Sequence, residues 1–110
     1  MSAVPPVEVF AALGDPTRQR LLQALAGGTA ASTSDLAEVL AITRQGVEKQ
    51  LRVLERAGLV ERHRQGRRSG FVVRSETLAD SGRWLTALAS EWDRRLAAVK
   101  ALAESDPSAG

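Results

Sequence analysis

The chain has 110 residues, 44% hydrophobic and 25% charged, with a formal net charge of +2, no cysteine and a single histidine, His63. That composition fits one globular domain with one core, and it excludes disulfides, thiol redox chemistry and the usual ligand sets for soft metals. No apolar run approaches the roughly 18–20 residues that span a bilayer, and "MSAVPPVEVF" carries no signal-peptide pattern, so the expected address is cytoplasmic, with no membrane partner and no cofactor.

Residues 1–6 read as a flexible N-terminus. A first short helix is predicted from Val7 to Leu13, with Val7, Phe10 and Ala11 on one face. "GDPT" then breaks the chain, because Asp15 can cap a helix and Pro16 suits its first position. That second helix runs to about Ala26, burying Leu21, Leu22 and Leu25, and stops at Gly27-Gly28. "TAAST" reads as a loop. Ser32, Thr33 or Ser34 can cap a third helix, "SDLAEVL", in which Leu36, Val39 and Leu40 follow helical spacing.

After a turn at Ala41-Ile42, Thr43 is a good N-cap for a fourth helix to about Ala57. Val47, Leu51 and Leu54 form its apolar stripe, and Gly58 stands in the usual left-handed position after it. "LVERHR" and "FVVRS" carry strand signals, with "QGRRSG" between them. Together they predict a β-hairpin with a mobile, glycine-flanked, arginine-tipped loop. A last helix is expected from about Glu76 to Glu104. Leu78, Leu85, Trp92 and Val99 recur in it every seven residues, and Leu88 and Leu102 take the companion positions, which argues for helix pairing. Residues 105–110 read as a disordered tail.

The bland net charge hides an asymmetry. Between Arg44 and Arg74 stand eight arginines and Lys49 against three glutamates, a local charge of +6 that leaves −4 for the rest. Arginine suits bidentate contacts with phosphate and base edges, which makes a nucleic acid the first partner to consider. With the apolar stripe of the fourth helix turned inward, Gln45, Lys49, Arg52 and Arg56 face outward, and Arg44 and Gln45 fall in the first turn, where such helices meet base edges. Gln can pair with adenine and Arg with guanine. Glu48 either accepts from cytosine N4 or holds Arg44 or Arg52 in place. In the hairpin, Arg64, Arg67 and Arg68 are candidates for flanking phosphates or a narrow minor groove. The bland alternative for all of these is a solvated surface, and for His63 an ordinary strand position.

The order of elements, mainly α with a β-hairpin wing and about five helices, is that of a winged helix-turn-helix. Three stretches, "FAALGDPTRQRLLQAL", "TRQGVEKQLRVLERAGLVERHRQGRRSGFVV" and "ETLADSGRWLTALASEWDRRLAAVKAL", resemble the ArsR-type (arsenic-repressor-like) bacterial transcriptional regulators. The resemblance covers roughly Val7 to Leu102. It implies a homodimeric repressor of double-stranded operator DNA that pairs through its first and last helices. On this chain those interface positions are Val7, Phe10, Leu78, Leu85, Leu88, Trp92 and Val99, while Thr43, Arg44, Gln45, Glu48, Lys49 and Arg52 fall on the DNA-binding helix.

Two departures stand out. Ser32 and Ser34 occupy the positions where many members carry metal-sensing cysteines, so metal sensing is not expected. Glu48 and Gln50 replace the small polar residue and histidine common in the recognition helix. Trp84 and Trp92 either pack in a core or dimer interface or line a pocket for a small-molecule effector between protomers. A protein-interaction module, its arginines meeting an acidic partner, is the rival from another class. No glycine-rich phosphate loop, nucleophile–histidine pair or metal-ligand cluster supports an enzyme.

Overall fold

A computed structural model describes residues 7–27 and 32–105, apart from the side chains of Gln65, Arg68 and Ser69. The expected flexible N-terminus and most of the expected tail lie outside the described residues. Within them the order is α1 (Val7–Leu13), α2 (Pro16–Ala26), α3 (Thr33–Leu40), α4 (Arg44–Arg56), β1 (Val60–Gln65), β2 (Arg68–Val73) and α5 (Ser75–Ser105). No helix among them is long and apolar enough to cross a membrane.

Local chemistry sets most boundaries. Asp15 caps α2 by accepting from the Arg18 amide at 3.0 Å, with Pro16 in the first turn. Ser32 caps α3 through the Asp35 amide at 3.1 Å, so the helix begins at Thr33. Helix α3 ends with Ala41 in the left-handed region at φ 56°, and the Ile42 amide reaches back to the Ala37 carbonyl at 3.2 Å. This is a Schellman closure, with alanine where glycine is usual. Thr43 follows at once as the cap of α4, its Oγ1 accepting from the Gly46 amide at 2.9 Å. The sharp bend between α3 and α4 is therefore specified within three residues. Helix α4 ends in the same way, with Gly58 at φ 78° and the Leu59 amide bonded to the Leu54 carbonyl at 2.9 Å.

The core lies where α1, α2, α3, α4 and the hairpin meet. Leu21, Leu36, Val47, Leu51, Leu54 and Leu59 are completely shielded from solvent, with Val9, Ala12, Val60 and Phe71 beside them. Arg18 locks three helices together. Its guanidinium donates to the carbonyls of Ala12 (2.8 Å) and Ala11 (3.2 Å) at the end of α1, the latter shared with the Gly14 amide at 3.3 Å, and to Gln50 Oε1 on α4 (2.9 Å).

Helix α1 turns Val9, Ala12 and Leu13 inward and leaves Ala11 and Val7 (78%) exposed. Three sequence expectations need correction. Leu25 is only half-buried, packed at the edge of the core. Val39 is 55% exposed, because Leu36 and Leu40, with Ala37 beside them, are the residues of α3 that reach the core. The hairpin loop is also shorter than expected. Gln65 pairs with Arg68, so only Gly66 and Arg67 connect the strands. Gly66 has φ 61°, as the first loop position of a type II′ hairpin requires, and that turn matches the strand twist better than a longer loop.

Helix α5 divides in two. Its base is tied down: Thr77 Oγ1 donates to the Gly58 carbonyl at 2.7 Å, Ser81 is buried, and Leu78 packs on the core. Trp84 meets Phe10 of α1 with ring centroids 5.5 Å apart. Beyond Ser81 no residue of the helix is buried, and Leu85, Leu88, Trp92, Leu96, Val99 and Leu102 are exposed, Trp92 by 70%. The unpartnered heptad stripe therefore begins at Leu85, since Leu78 belongs at least partly to the protein's own core.

Candidate nucleic-acid interface

The interface is built on α4. Burying Val47, Leu51 and Leu54 turns Arg44, Gln45, Lys49 and Arg52 outward, and all four are exposed. The Thr43 hydroxyl, used as an acceptor by the cap, keeps its own hydrogen free for an outside acceptor. Arg44, Gln45, Glu48 and Arg52 line one hollow on this face, joined by Thr33 from the start of α3. Lys49 lies outside that hollow.

The hairpin stands beside α4. Arg64 sits on β1 opposite Ser69, two residues from Arg62 and so on the same side of the ladder, whereas Arg67 is at the exposed tip. Arg68 opens β2, but its side chain lies outside the described portion. His63 is an exposed strand residue 3.8 Å from Glu61, which fits the plain strand reading.

Glu48 is where the geometry departs from expectation. It pairs with neither Arg44 nor Arg52. Its ion-pair partner is Arg62 of β1, with Nη2 and Oε2 3.7 Å apart. Arg62 is itself seated over the ring of Phe71, 4.7 Å from the centroid, and Phe71 is the residue directly opposite it on β2. Spacing along α4 could not reveal a partner fourteen residues away on another element. The one available signal was Arg62 preceding a second strand that carries a single aromatic residue, Phe71, which is weak. Gln50, the other departure in α4, turns inward to accept from Arg18 and is a packing residue.

The arrangement is an exposed helix face of mixed hydrogen-bonding character, flanked by an arginine-bearing hairpin. Chemically, such a face can present donors and acceptors from the helix and cations from the hairpin beside it.

Comparison with known proteins gives the same picture. A family model described as a helix-turn-helix domain matches residues 13–63. The transcriptional repressor SdpR of Bacillus subtilis (strain 168) is 31% identical over 88 residues, which cover 80% of this chain and 97% of SdpR. A solved structure of an ArsR-like transcriptional regulator from Rhodococcus sp. RHA1 superposes with a TM-score of 0.82 at 43% identity over 90% of each chain. The homodimeric winged helix-turn-helix DNA-binding domain of Mb0332 from Mycobacterium bovis, a possible ArsR-family regulator, gives a TM-score of 0.59 at 27% identity, covering 81% of this chain and 79% of that one.

Proposed function

The chain belongs to the ArsR family of helix-turn-helix transcriptional regulators, and from that premise we propose that it is a repressor binding a palindromic operator as a homodimer. The family is one of DNA-binding regulators rather than enzymes. The observation that carries the proposal is the exposed row Arg44, Gln45, Lys49 and Arg52 on a helix whose opposite face is buried. Arg44 and Gln45 sit in its first turn, where they would meet base edges in the major groove. Thr43, Lys49 and Arg52 would meet phosphates, and Arg64, Arg67 and Arg68 of the wing would follow the flanking backbone. Two such helices, related by a dimer axis, would enter half-sites about one helical turn (~10 bp) apart.

The dimer would form through α1 and α5, with Val7 and Phe10 from the first and Leu85, Leu88, Trp92 and Val99 from the second. Leu78 would contribute from the edge of the core. Residues 7–104 then act as one winged helix-turn-helix domain whose segment from about 76 to 104 dimerises. A DNA-binding regulator of this kind works in the cytoplasm. Thiolate metal sensing is not part of the reading, since the chain has no cysteine and Ser32 and Ser34 supply only hydroxyls.

Selection of bound sequences from a random duplex library tests the proposal. An enriched palindrome with half-sites about 10 bp apart is the expected result, and its absence would overturn it.

A further inference from the structure

Glu48 places an acid on a face otherwise built to meet a polyanion. Such a group weakens binding to every sequence, least where a donor amine meets it, so it acts by discrimination rather than by attraction. Its geometry shows how it is held. Oε2 is fully shielded from solvent and has no hydrogen-bond donor, and Arg62 at 3.7 Å is too far to supply one. Arg62 is anchored over Phe71, and Phe71 sits in the core. A continuous chain of contacts therefore runs from the core through Phe71 and Arg62 to the inner oxygen of Glu48. The Glu48 side chain as a whole is 35% exposed and lines the hollow with Arg44, Gln45 and Arg52.

We propose that Glu48 is a specificity-determining residue that accepts from the exocyclic amine of cytosine, and that Arg62 is the positioning residue holding it by its inner oxygen. This rests on the DNA-binding reading above. Carboxylates accept from cytosine N4 in the major groove, whereas a glutamine pairs best with adenine. The wing would then do more than contact flanking phosphates. Through Arg62 it would fix what the recognition helix reads.

The test measures affinities for duplexes differing at single base pairs of the site selected by the wild-type protein. Glu48→Gln is expected to move the preference at one position per half-site from cytosine toward adenine. Glu48→Ala should abolish that preference, a change of roughly tenfold in the affinity ratio. Arg62→Gln should lower the ratio at that same position, with Arg62→Lys in between, because lysine keeps the charge but not the planar stack on Phe71. The double variant Glu48→Ala/Arg62→Gln should show no further loss at that position. A merely structural pair would lower affinity for all duplexes by one factor and leave the ratios intact, and that result would overturn the inference, as would a cytosine preference that survives Glu48→Ala. A wild-type protein with no sequence selectivity would instead overturn the DNA-binding reading itself, and this inference with it.

Discussion

The body of the molecule and the outer half of α5 solve opposite problems with the same residue types. In the body, leucines and valines from four helices and the hairpin meet one another, and six of them are completely shielded. Past Ser81, an equally regular apolar series at Leu85, Leu88, Trp92, Leu96, Val99 and Leu102 stays exposed among the described residues. A helix of 31 residues is about 46 Å long, far more than this core can cover. The body is thus finished by its own sequence, whereas in the proposed dimer the outer helix would be finished by a partner. The protein's extents of 73 × 31 × 21 Å record that division.

The largest expected effect comes from breaking the outer half alone. Leu88→Asp should leave the body folded but abolish pairing. Operator affinity should fall by about 10²–10⁴-fold as bivalent binding becomes monovalent, read by a mobility-shift titration beside light scattering. If the variant remained dimeric, the two regions would not be separable in this way.

A core truncation should do the reverse. Leu51→Ala is expected to cost about 3 kcal/mol of folding stability, visible in denaturant melts. Its cavity lies in the core behind the exposed face of α4, so the loss should persist at every protein concentration. A concentration-dependent loss would mean that the body too depends on its partner.

Within the body, the proposed phosphate contacts of α4 and the hairpin can be told apart from the proposed base contacts of α4. Arg52→Ala and Arg67→Ala should weaken binding to all duplexes and each reduce the salt slope by about 1. Gln45→Ala should instead change the base preference, with a discrimination loss of about 1–3 kcal/mol at one position. If all three variants behaved alike in the same titration, the division between phosphate and base contacts would fail.

The smallest effects sharpen how the bend is encoded. Thr43→Ala should cost about 1 kcal/mol by removing the cap of α4. Ala41→Gly, at φ 56°, should gain about 0.5 kcal/mol, because relief of the left-handed strain outweighs the added freedom of the unfolded chain. Thermal melts of the two variants should move in opposite directions.

Much of this was legible before the fold was known, and the legible parts share a cause. Thr43, the stripe Val47-Leu51-Leu54 and Gly58 define α4 through interactions within a few residues, so spacing alone places them. The free stripe of α5 was readable for the same reason. Helix α1 was less legible because seven residues make only two turns. Val7-Phe10-Ala11 and Val9-Ala12-Leu13 are both plausible stripes, and only packing on α2 and α4 shows that the second faces the core. On α3, Val39 shares the helical spacing of Leu36 and Leu40 but stays exposed, and spacing alone does not separate the two. The contacts among Arg18, Ala11, Ala12 and Gln50, and among Glu48, Arg62 and Phe71, join separate elements, and no local pattern announces them. For the site, the outward residues of α4 were visible, while the pairing that gives Glu48 its place was not.

The most direct test of the central claim, a self-sufficient DNA-reading body completed by helix pairing, is native mass spectrometry on the selected operator duplex. Wild-type protein should appear as two protomers per duplex, with no singly occupied species at substoichiometric protein, and Leu88→Asp should give only weak, stepwise single occupancy. Tight occupancy by one wild-type protomer, or unchanged paired binding by Leu88→Asp, would contradict the account.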